Sequence, residues 1–358
     1  MQNRLIDLAS DTKSRPTEVM RAAMAAAEVG DEQAREDPTV NRLCTMVAEL
    51  LGKDDAVFLP SGKMCNQVAY RVHCRPGDEI ILDEWAHGVN AEAGGIAALS
   101  GANVRVLKGD RGVFDADQVR AAIRPRRPDV PRSRLVSIEQ TTNRAGGAIW
   151  PLATIEAVTG VARESGLAAH MDGARLLNAQ VATGVAVRDY AAPFDSVWID
   201  LSKGLGCPVG AVLAGSTGFI EDAWRFKHQF GGAMRQAGIL AAAGVYALEN
   251  HVARLADDHD NAQGLARGLA AIPGINIDPE AFRTNIIFFD VSRTGLRAEE
   301  LNARLVERGV RFQVLDATQM RAVTHIDVGA DDIPTALAAV SAVVGAAAPA
   351  GERENRTR

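Results

Sequence analysis

Over residues 55–199 short β-rich runs alternate with helix-patterned stretches, and few folds accept that alternation. The runs are residues 56–59, 79–82, 104–107, 135–138, 167–171 and 196–199, with helical patterns such as Leu152–Glu164 filling the gaps. Strand, helix, strand in repetition argues for a mostly parallel sheet with helices on both faces, an α/β fold. Upstream, Thr17 followed by Glu18 reads as the cap of a helix through Ala27, and Pro38 opens a second helix through Leu51. Downstream, helix-forming sequence runs without a break over residues 233–271 and stops at Pro273-Gly274. A second, smaller α/β pattern follows: a strand over 286–289, a helix over 298–308, strands near 310–314 and 322–326, and a closing helix over 332–344. The expected organisation is a large domain over residues 1–250, N-terminal segment included, and a small C-terminal domain over 251–347. The polar tail, 348–358, is expected to be disordered.

With 358 residues the chain is long enough for one large core and one smaller one. A net charge of −6 and a pI near 5.7 leave no basic footprint for nucleic acid or an anionic membrane. The four cysteines (Cys44, Cys65, Cys74, Cys207) form no C-x-x-C pair and no cluster spaced like a metal site, so they read as reduced packing residues and no metal is expected. The N-terminus has no apolar signal region, and no apolar run reaches the ~20 residues of a membrane span. The expected compartment is the cytoplasm and the expected partner a small molecule.

The chemistry concentrates at Asp200-Leu201-Ser202-Lys203-Gly204-Leu205-Gly206, which sets one lysine between a buried-strand pattern and a glycine-bracketed turn. An amine partly desolvated at a strand end has its pKa pulled below ~10.4 and can form an imine with an aldehyde, pyridoxal phosphate being the usual one. Such a cofactor needs an acid at its ring nitrogen, because a protonated ring takes up electrons from the substrate's Cα. Asp172, in His170-Met171-Asp172-Gly173-Ala174-Arg175, stands at a strand's C-terminal end, where open α/β sheets place ligands. A phosphate needs N–H groups at a helix start, and Ser61, Gly62 and Lys63 follow a strand and open a helix. His87 lies just past a strand end, able to stack on a planar ring or act as a base. Arg175, Arg235 and Arg321 have the fork geometry for a carboxylate or phosphate, and Ser10 adds a hydroxyl.

Taken together, Asp7-Leu8-Ala9-Ser10-Asp11-Thr12, Glu36-Asp37-Pro38-Thr39-Val40-Asn41, Glu92-Ala93-Gly94-Gly95, residues 170–175, 201–206 and 231–236 resemble the low-specificity L-threonine aldolases of the β-eliminating lyase group. The resemblance implies a fold-type-I pyridoxal-phosphate enzyme with a seven-stranded sheet, cleaving threonine, allo-threonine or a related β-hydroxy-α-amino acid to glycine and an aldehyde. It makes Lys203 the cofactor-bound lysine, Asp172 the partner of the ring nitrogen and His87 the stacking residue. Ser10, Arg175 and Arg321 match positions that hold the substrate carboxylate, and Ser61, Gly62 and Lys63 fall on the phosphate cradle. Arg235 matches an arginine reaching a neighbouring subunit's phosphate, which implies a homodimer or homotetramer with shared sites. The chain departs from the family pattern at Ala34-Arg35, where Tyr-Gly is usual, and at Lys63, where a small hydroxyl residue is usual. It departs again at Gln140 and Thr142, the latter standing where a histidine associated with the β-hydroxyl is usual. Thr142 remains a candidate substrate contact. These departures keep open β-elimination or other Cα chemistry on a larger amino acid. A catalytically inactive α/β binding protein is the reading from another class.

Overall fold

The structure, a computed structural model, describes residues 4–347. It divides into two compact units, one over residues 15–253 and one joining the described residues up to Ser14 with those from Arg254 onward. The expected disordered tail, 348–358, lies outside the described residues.

In chain order the strands begin with β1 (Ile6–Asp7), which belongs to the smaller unit. The larger unit carries β2 (Asp55–Leu59), β3 (Asp78–Asp83), β4 (Asn103–Leu107), β5 (Arg132–Glu139), β6 (Ala168–Gly173), β7 (Ser196–Asp200) and β8 (Ala211–Gly215). They form one seven-stranded sheet in the order β2-β8-β7-β6-β5-β3-β4. Every neighbouring pair is parallel except the two that β8 makes, with β2 and with β7. The mostly parallel α/β sheet expected from the alternation is present, with one strand, β8, that the β-rich runs did not mark. Central strands β7 and β8 are buried along their whole length, as sheets covered on both faces require. Edge strand β4 instead leaves Val104 and Val106 exposed.

Helix Pro38–Leu51 shows how local sequence sets the elements. Asp37 caps it by accepting from Thr39 N (3.1 Å) and Val40 N (3.0 Å), Pro38 occupies the first turn, where no N–H is needed, and Gly52 ends it at φ +65°. Val40, Leu43, Val47 and Leu51, spaced three and four apart, make its buried face. Helix Gly62–His73 packs Cys65, Val68 and Ala69 against Val57, Leu59, Trp198 and Leu213 of the sheet. Its first residue has no room for a side chain, because a Cβ on Gly62 would stand 2.3 Å from the Trp198 ring and 3.2 Å from Asp200 Oδ2. Gly62→Ala is therefore expected to cost about 1–3 kcal/mol of stability through overpacking. Urea unfolding of the variant beside the parent checks this, and an unchanged midpoint would contradict the close approach.

The unbroken helical run over 233–271 is corrected. Helix Gly238–Asn250 ends, a turn intervenes, and helix Leu255–Ala270 begins. The break falls where the His251 ring turns to donate to Leu205 O (2.8 Å).

The smaller unit holds β1, then β9 (Ile286–Asp290), β10 (Val310–Arg311), β11 (Gln313–Val314) and β12 (Gln319–Val323). β11, β12 and β9 form an antiparallel sheet, and β1 pairs in parallel with β10. This pairing corrects the placement of the N-terminal segment, which was expected within the large domain. Ile6 and Leu8 are buried with Leu265, Ile287, Phe289 and Val310, so apolar packing and the ladder both tie the segment to the C-terminal elements.

Candidate active site

Strand register brings the chemistry to one edge of the large sheet. Leu59 of β2 and Asp200 of β7 both pair with Ala211, so β2 and β7 end at the same side. Glu139 of β5 pairs with Asp172 of β6, putting two carboxyls side by side at that end. The candidates that follow these strands, Ser61 and Lys203, therefore open on the edge where parallel sheets bind ligands.

Lys203 sits in the loop after β7, its side chain 16% exposed, with Nζ 3.0 Å from Asp200 Oδ2 and 5.8 Å from the centre of the Trp198 ring. Asp172 is buried, its Oδ2 accepting from Asn66 Nδ2 (2.7 Å) and its Oδ1 from Ala174 N (3.1 Å). Burial pushes its pKa above the ordinary carboxylate value, opposed by the charges of Lys203 and His87 and by the Asn66 hydrogen bond. His87 opens the short helix His87–Asn90 and hydrogen-bonds through Nδ1 to Glu92 Oε1 (2.7 Å), leaving Nε2 for a ligand. Burial works against its charge, but Glu92, Asp172 and Glu139 outweigh burial and its pKa is raised.

Ser61 caps helix Gly62–His73, its Oγ accepting from Met64 N (3.3 Å). The N–H groups of Gly62 and Lys63, in the first turn, have no intrahelical acceptor and are available to an anion. The Lys63 side chain is exposed. Arg175 is buried after β6, and its charge acts on Glu139. Thr142 is buried with its hydroxyl accepting from Ala148 N (2.8 Å), which fastens the loop after β5. Arg235 is exposed, with Nη1 on Asp31 Oδ2 at 2.9 Å. Ser10 and Arg321 belong to the smaller unit. There Ser10 Oγ accepts from Thr12 N (3.2 Å), and Arg321 is buried on β12 with Nη2 donating to Ala9 O (3.3 Å).

Three residues of this edge lay outside the sequence-based set of site residues. Glu139 is buried beside Asp172 and accepts no side-chain hydrogen bond among the described residues. Burial, reinforced by the Asp172 charge, pushes its pKa to about 8. Two adjacent buried carboxyls resist ionising together. Asp172 accepts from two N–H groups, which favours its ionised form, whereas burial and the Asp172 charge hold the Glu139 carboxyl toward its protonated form. Glu92 and Asn66 are the other two, and only their helical or loop context, not their residue type, could have hinted at them.

The raised Glu139 pKa has a definite sign for stability. The folded protein binds this proton more tightly than the unfolded chain, whose glutamate titrates near 4.5, so stability falls as pH rises from about 4.5 to about 8 and then levels. Glu139→Gln removes that burden. In the protein freed of ligands the variant is expected to gain stability over the parent at pH 9, on the order of 3 kcal/mol, with the gain vanishing near pH 4.5. Thermal unfolding across that range checks it, and a gain independent of pH would contradict the assignment.

These residues fit pyridoxal phosphate. A helix start offers N–H groups beside Asp200, which also neighbours the Lys203 amine, and a buried carboxylate stands where a cationic ring nitrogen could meet it. Among the described residues no helix is long and apolar enough to cross a membrane.

Residues 7–292 match the family model described as β-eliminating lyase. The chain is 41% identical over 333 residues to the low specificity L-threonine aldolase of Escherichia coli strain K12, covering 92% of this chain and 96% of that one. It is 39% identical over 338 residues to low-specificity L-threonine aldolase 1 of Arabidopsis thaliana, covering 93% and 94%. The solved threonine aldolase of Leishmania major superposes with a TM-score of 0.81 at 22% identity, covering 95% of this chain and 99% of that one, a likeness of fold. The fold is that of the fold-type-I pyridoxal-phosphate enzymes. Sequence, fold and the residues gathered at the sheet edge agree: the chain belongs to the β-eliminating lyase family, among the low-specificity L-threonine aldolases.

Proposed function

We propose that this chain is a pyridoxal-phosphate-dependent aldehyde-lyase that cleaves L-threonine, L-allo-threonine or a related β-hydroxy-α-amino acid to glycine and an aldehyde. The observation that carries the reading is the pairing of a buried, doubly hydrogen-bonded Asp172 at the end of β6 with the Lys203 amine just past the end of neighbouring β7. When bound, the cofactor supplies an aldehyde for the substrate amine and a protonated ring that takes up the electron pair left when Cα–Cβ breaks.

Lys203 would hold the cofactor through its amine, and Asp200, 3.0 Å away, would serve as the nearby acceptor for that amine's protons. Asp172, kept anionic by Asn66 and Ala174, holds the proton on the ring nitrogen. Gly62 and Lys63 bind the phosphate through their N–H groups. Arg175, buried just past β6, would bind the substrate carboxylate and so fix the orientation in which the substrate is held, and orientation selects the bond that breaks. For Ser10 and Arg321, on the smaller unit, the carboxylate role is supported by the family resemblance alone. His87, through Nε2 or a water held there, takes the β-hydroxyl proton as the carbonyl of the aldehyde forms. Thr142 is a poor base near neutral pH, and its hydroxyl is occupied by Ala148 N.

Arg235 reaches the phosphate of a second copy, so the working assembly is a homodimer or homotetramer. Its long side chain, 64% exposed, supports that reach. The cytoplasm is the compartment, a reading supported by four unpaired thiols.

The test is incubation of the holoprotein with threonine, allo-threonine and phenylserine. Glycine and the matching aldehyde are expected, and absence of glycine from all three rejects aldol cleavage. The occupied Thr142 hydroxyl keeps one second reading in play, β-elimination. It would release ammonia and a 2-oxo acid from the same substrates, which mass spectrometry separates from glycine.

A further inference from the structure

We infer that Asn66 is a positioning residue for this site: one side-chain amide, locked in orientation by Trp198 and His170, fixes both the Asp172 carboxylate and the Glu92–His87 pair. The inference rests on the cofactor roles proposed for Asp172 and His87 and adds the residue that arranges them.

The amide has no freedom to turn over. The Trp198 indole N–H can only donate, and it lies 2.7 Å from Asn66 Oδ1, so the oxygen must face it. His170 Nε2 lies 3.2 Å from the same atom, and its Nδ1 is 2.8 Å from Ser196 Oγ. Burial holds the His170 pKa well below the ordinary imidazole value, so the ring is neutral and carries one N–H. His73 Nε2 is also 2.8 Å from Ser196 Oγ, and burial holds this second ring at a pKa of about 4. One proton order satisfies the chain throughout: His73 donates to Ser196, Ser196 to His170 Nδ1, and His170 Nε2 to Asn66 Oδ1.

With its oxygen committed, Asn66 presents its NH2 group to two buried carboxylates. Nδ2 is 2.7 Å from Asp172 Oδ2 and 2.8 Å from Glu92 Oε1. Glu92 Oε1 also accepts from His87 Nδ1, while Glu92 Oε2 accepts from Gln67 Nε2 at 2.5 Å. The residue proposed to protonate the ring and the residue proposed to stack on it thus share one neutral donor. Hydrogen bonds to ionised, buried groups are the strong ones, and a donor lost there leaves charge uncompensated. The titratable groups facing the amide are Asp172, Glu92 and His170, with His87, Glu139 and Lys203 next beyond them.

The test is Asn66→Asp, which keeps shape and volume but replaces the NH2 by oxygen. Protonated, the new carboxyl can still donate one hydrogen bond; ionised, it sets a further negative charge between Asp172 and Glu92. Between pH 6 and pH 9 the variant is expected to lose cofactor affinity at least about 10-fold beyond any change in the parent. The variant freed of cofactor is expected to lose at least about 5 °C more in Tm than the parent over the same range. Parental pH dependence in both readouts overturns the inference. If Asn66→Asp fails to fold, Trp198→Phe removes the orienting donor together with part of the ring that packs against Gly62. It is expected to weaken cofactor binding about 3- to 10-fold, and parental affinity there overturns the inference equally. A parent protein that binds no cofactor would refute the proposed function, while the cofactor-free unfolding arm would still decide the role of Asn66.

Discussion

Lys203→Ala is expected to lower kcat/KM for glycine release by at least about 10³-fold and to abolish covalent attachment of the cofactor. Two losses combine in that substitution. The nucleophilic amine disappears, and so does a cation whose charge lowers the pKa of both Asp172 and Glu139. With it gone, the two carboxyls hold their protons more tightly, and Asp172 spends less time in the anionic form that keeps the ring nitrogen protonated. Substrate amine can still meet cofactor held by its phosphate alone, so a small residual rate is expected, raised by added small amines that replace the missing base. Steady-state kinetics with and without such an amine, beside borohydride labelling, measure both effects. A variant with more than about a tenth of parental activity would contradict the role of Lys203.

Asp172→Asn should be nearly as damaging, on the order of 10²–10³-fold in kcat, with much of the cofactor binding retained. The reason lies in the hydrogen-bond arrangement. Asn66 presents its NH2 toward one Asp172 oxygen and Ala174 its N–H toward the other, so the amide introduced there would turn its own oxygen to Asn66 and its NH2 toward Ala174 N and the cofactor ring, a donor set against a donor. A donor in that place faces an unprotonated ring nitrogen, which accepts electrons poorly. The substitution also removes the negative neighbour that helps raise the Glu139 pKa to about 8. The Glu139 titration is therefore expected to move down in the same variant. Rates, cofactor absorbance and the pH dependence of unfolding give three independent readings. Parental kcat with a changed absorbance would separate cofactor tuning from catalysis and contradict the role given to Asp172.

Much of this arrangement was legible in the sequence because it rests on local pattern. β-rich runs spaced by helices mark a parallel sheet, and Asp37 before Pro38 or Ser61 before Gly62 mark helix starts by their capping chemistry. β8 escaped notice because Ala211-Val212-Leu213-Ala214-Gly215 has too little β-branched character to stand out from helix-forming alanine stretches. It is a strand because β2 and β7 leave an antiparallel slot between them, a fact about the sheet rather than about the pentapeptide. The N-terminal segment was misplaced for a similar reason: its partner strand, Val310–Arg311, lies near the other end of the chain, and no local signal announces such a pairing.

The site divides along the same line. Lys203, Asp172 and His87 carry recognisable chemistry at recognisable positions. Asn66 and Glu139 acquire their importance from what surrounds them. An asparagine inside a helix and a glutamate ending a strand are ordinary as letters, and only the approach of Trp198, His170 and Asp172 turns one into a fixed donor and the other into a proton store.

The most direct measurement is the location of the cofactor on the chain. The holoprotein is reduced with borohydride, digested, and its peptides sequenced by mass spectrometry. A pyridoxyl-phosphate adduct on Lys203, and on no other lysine in stoichiometric amount, is the expected result; an adduct on Lys63, Lys227 or another lysine, or none at all, would contradict the assignment of this site.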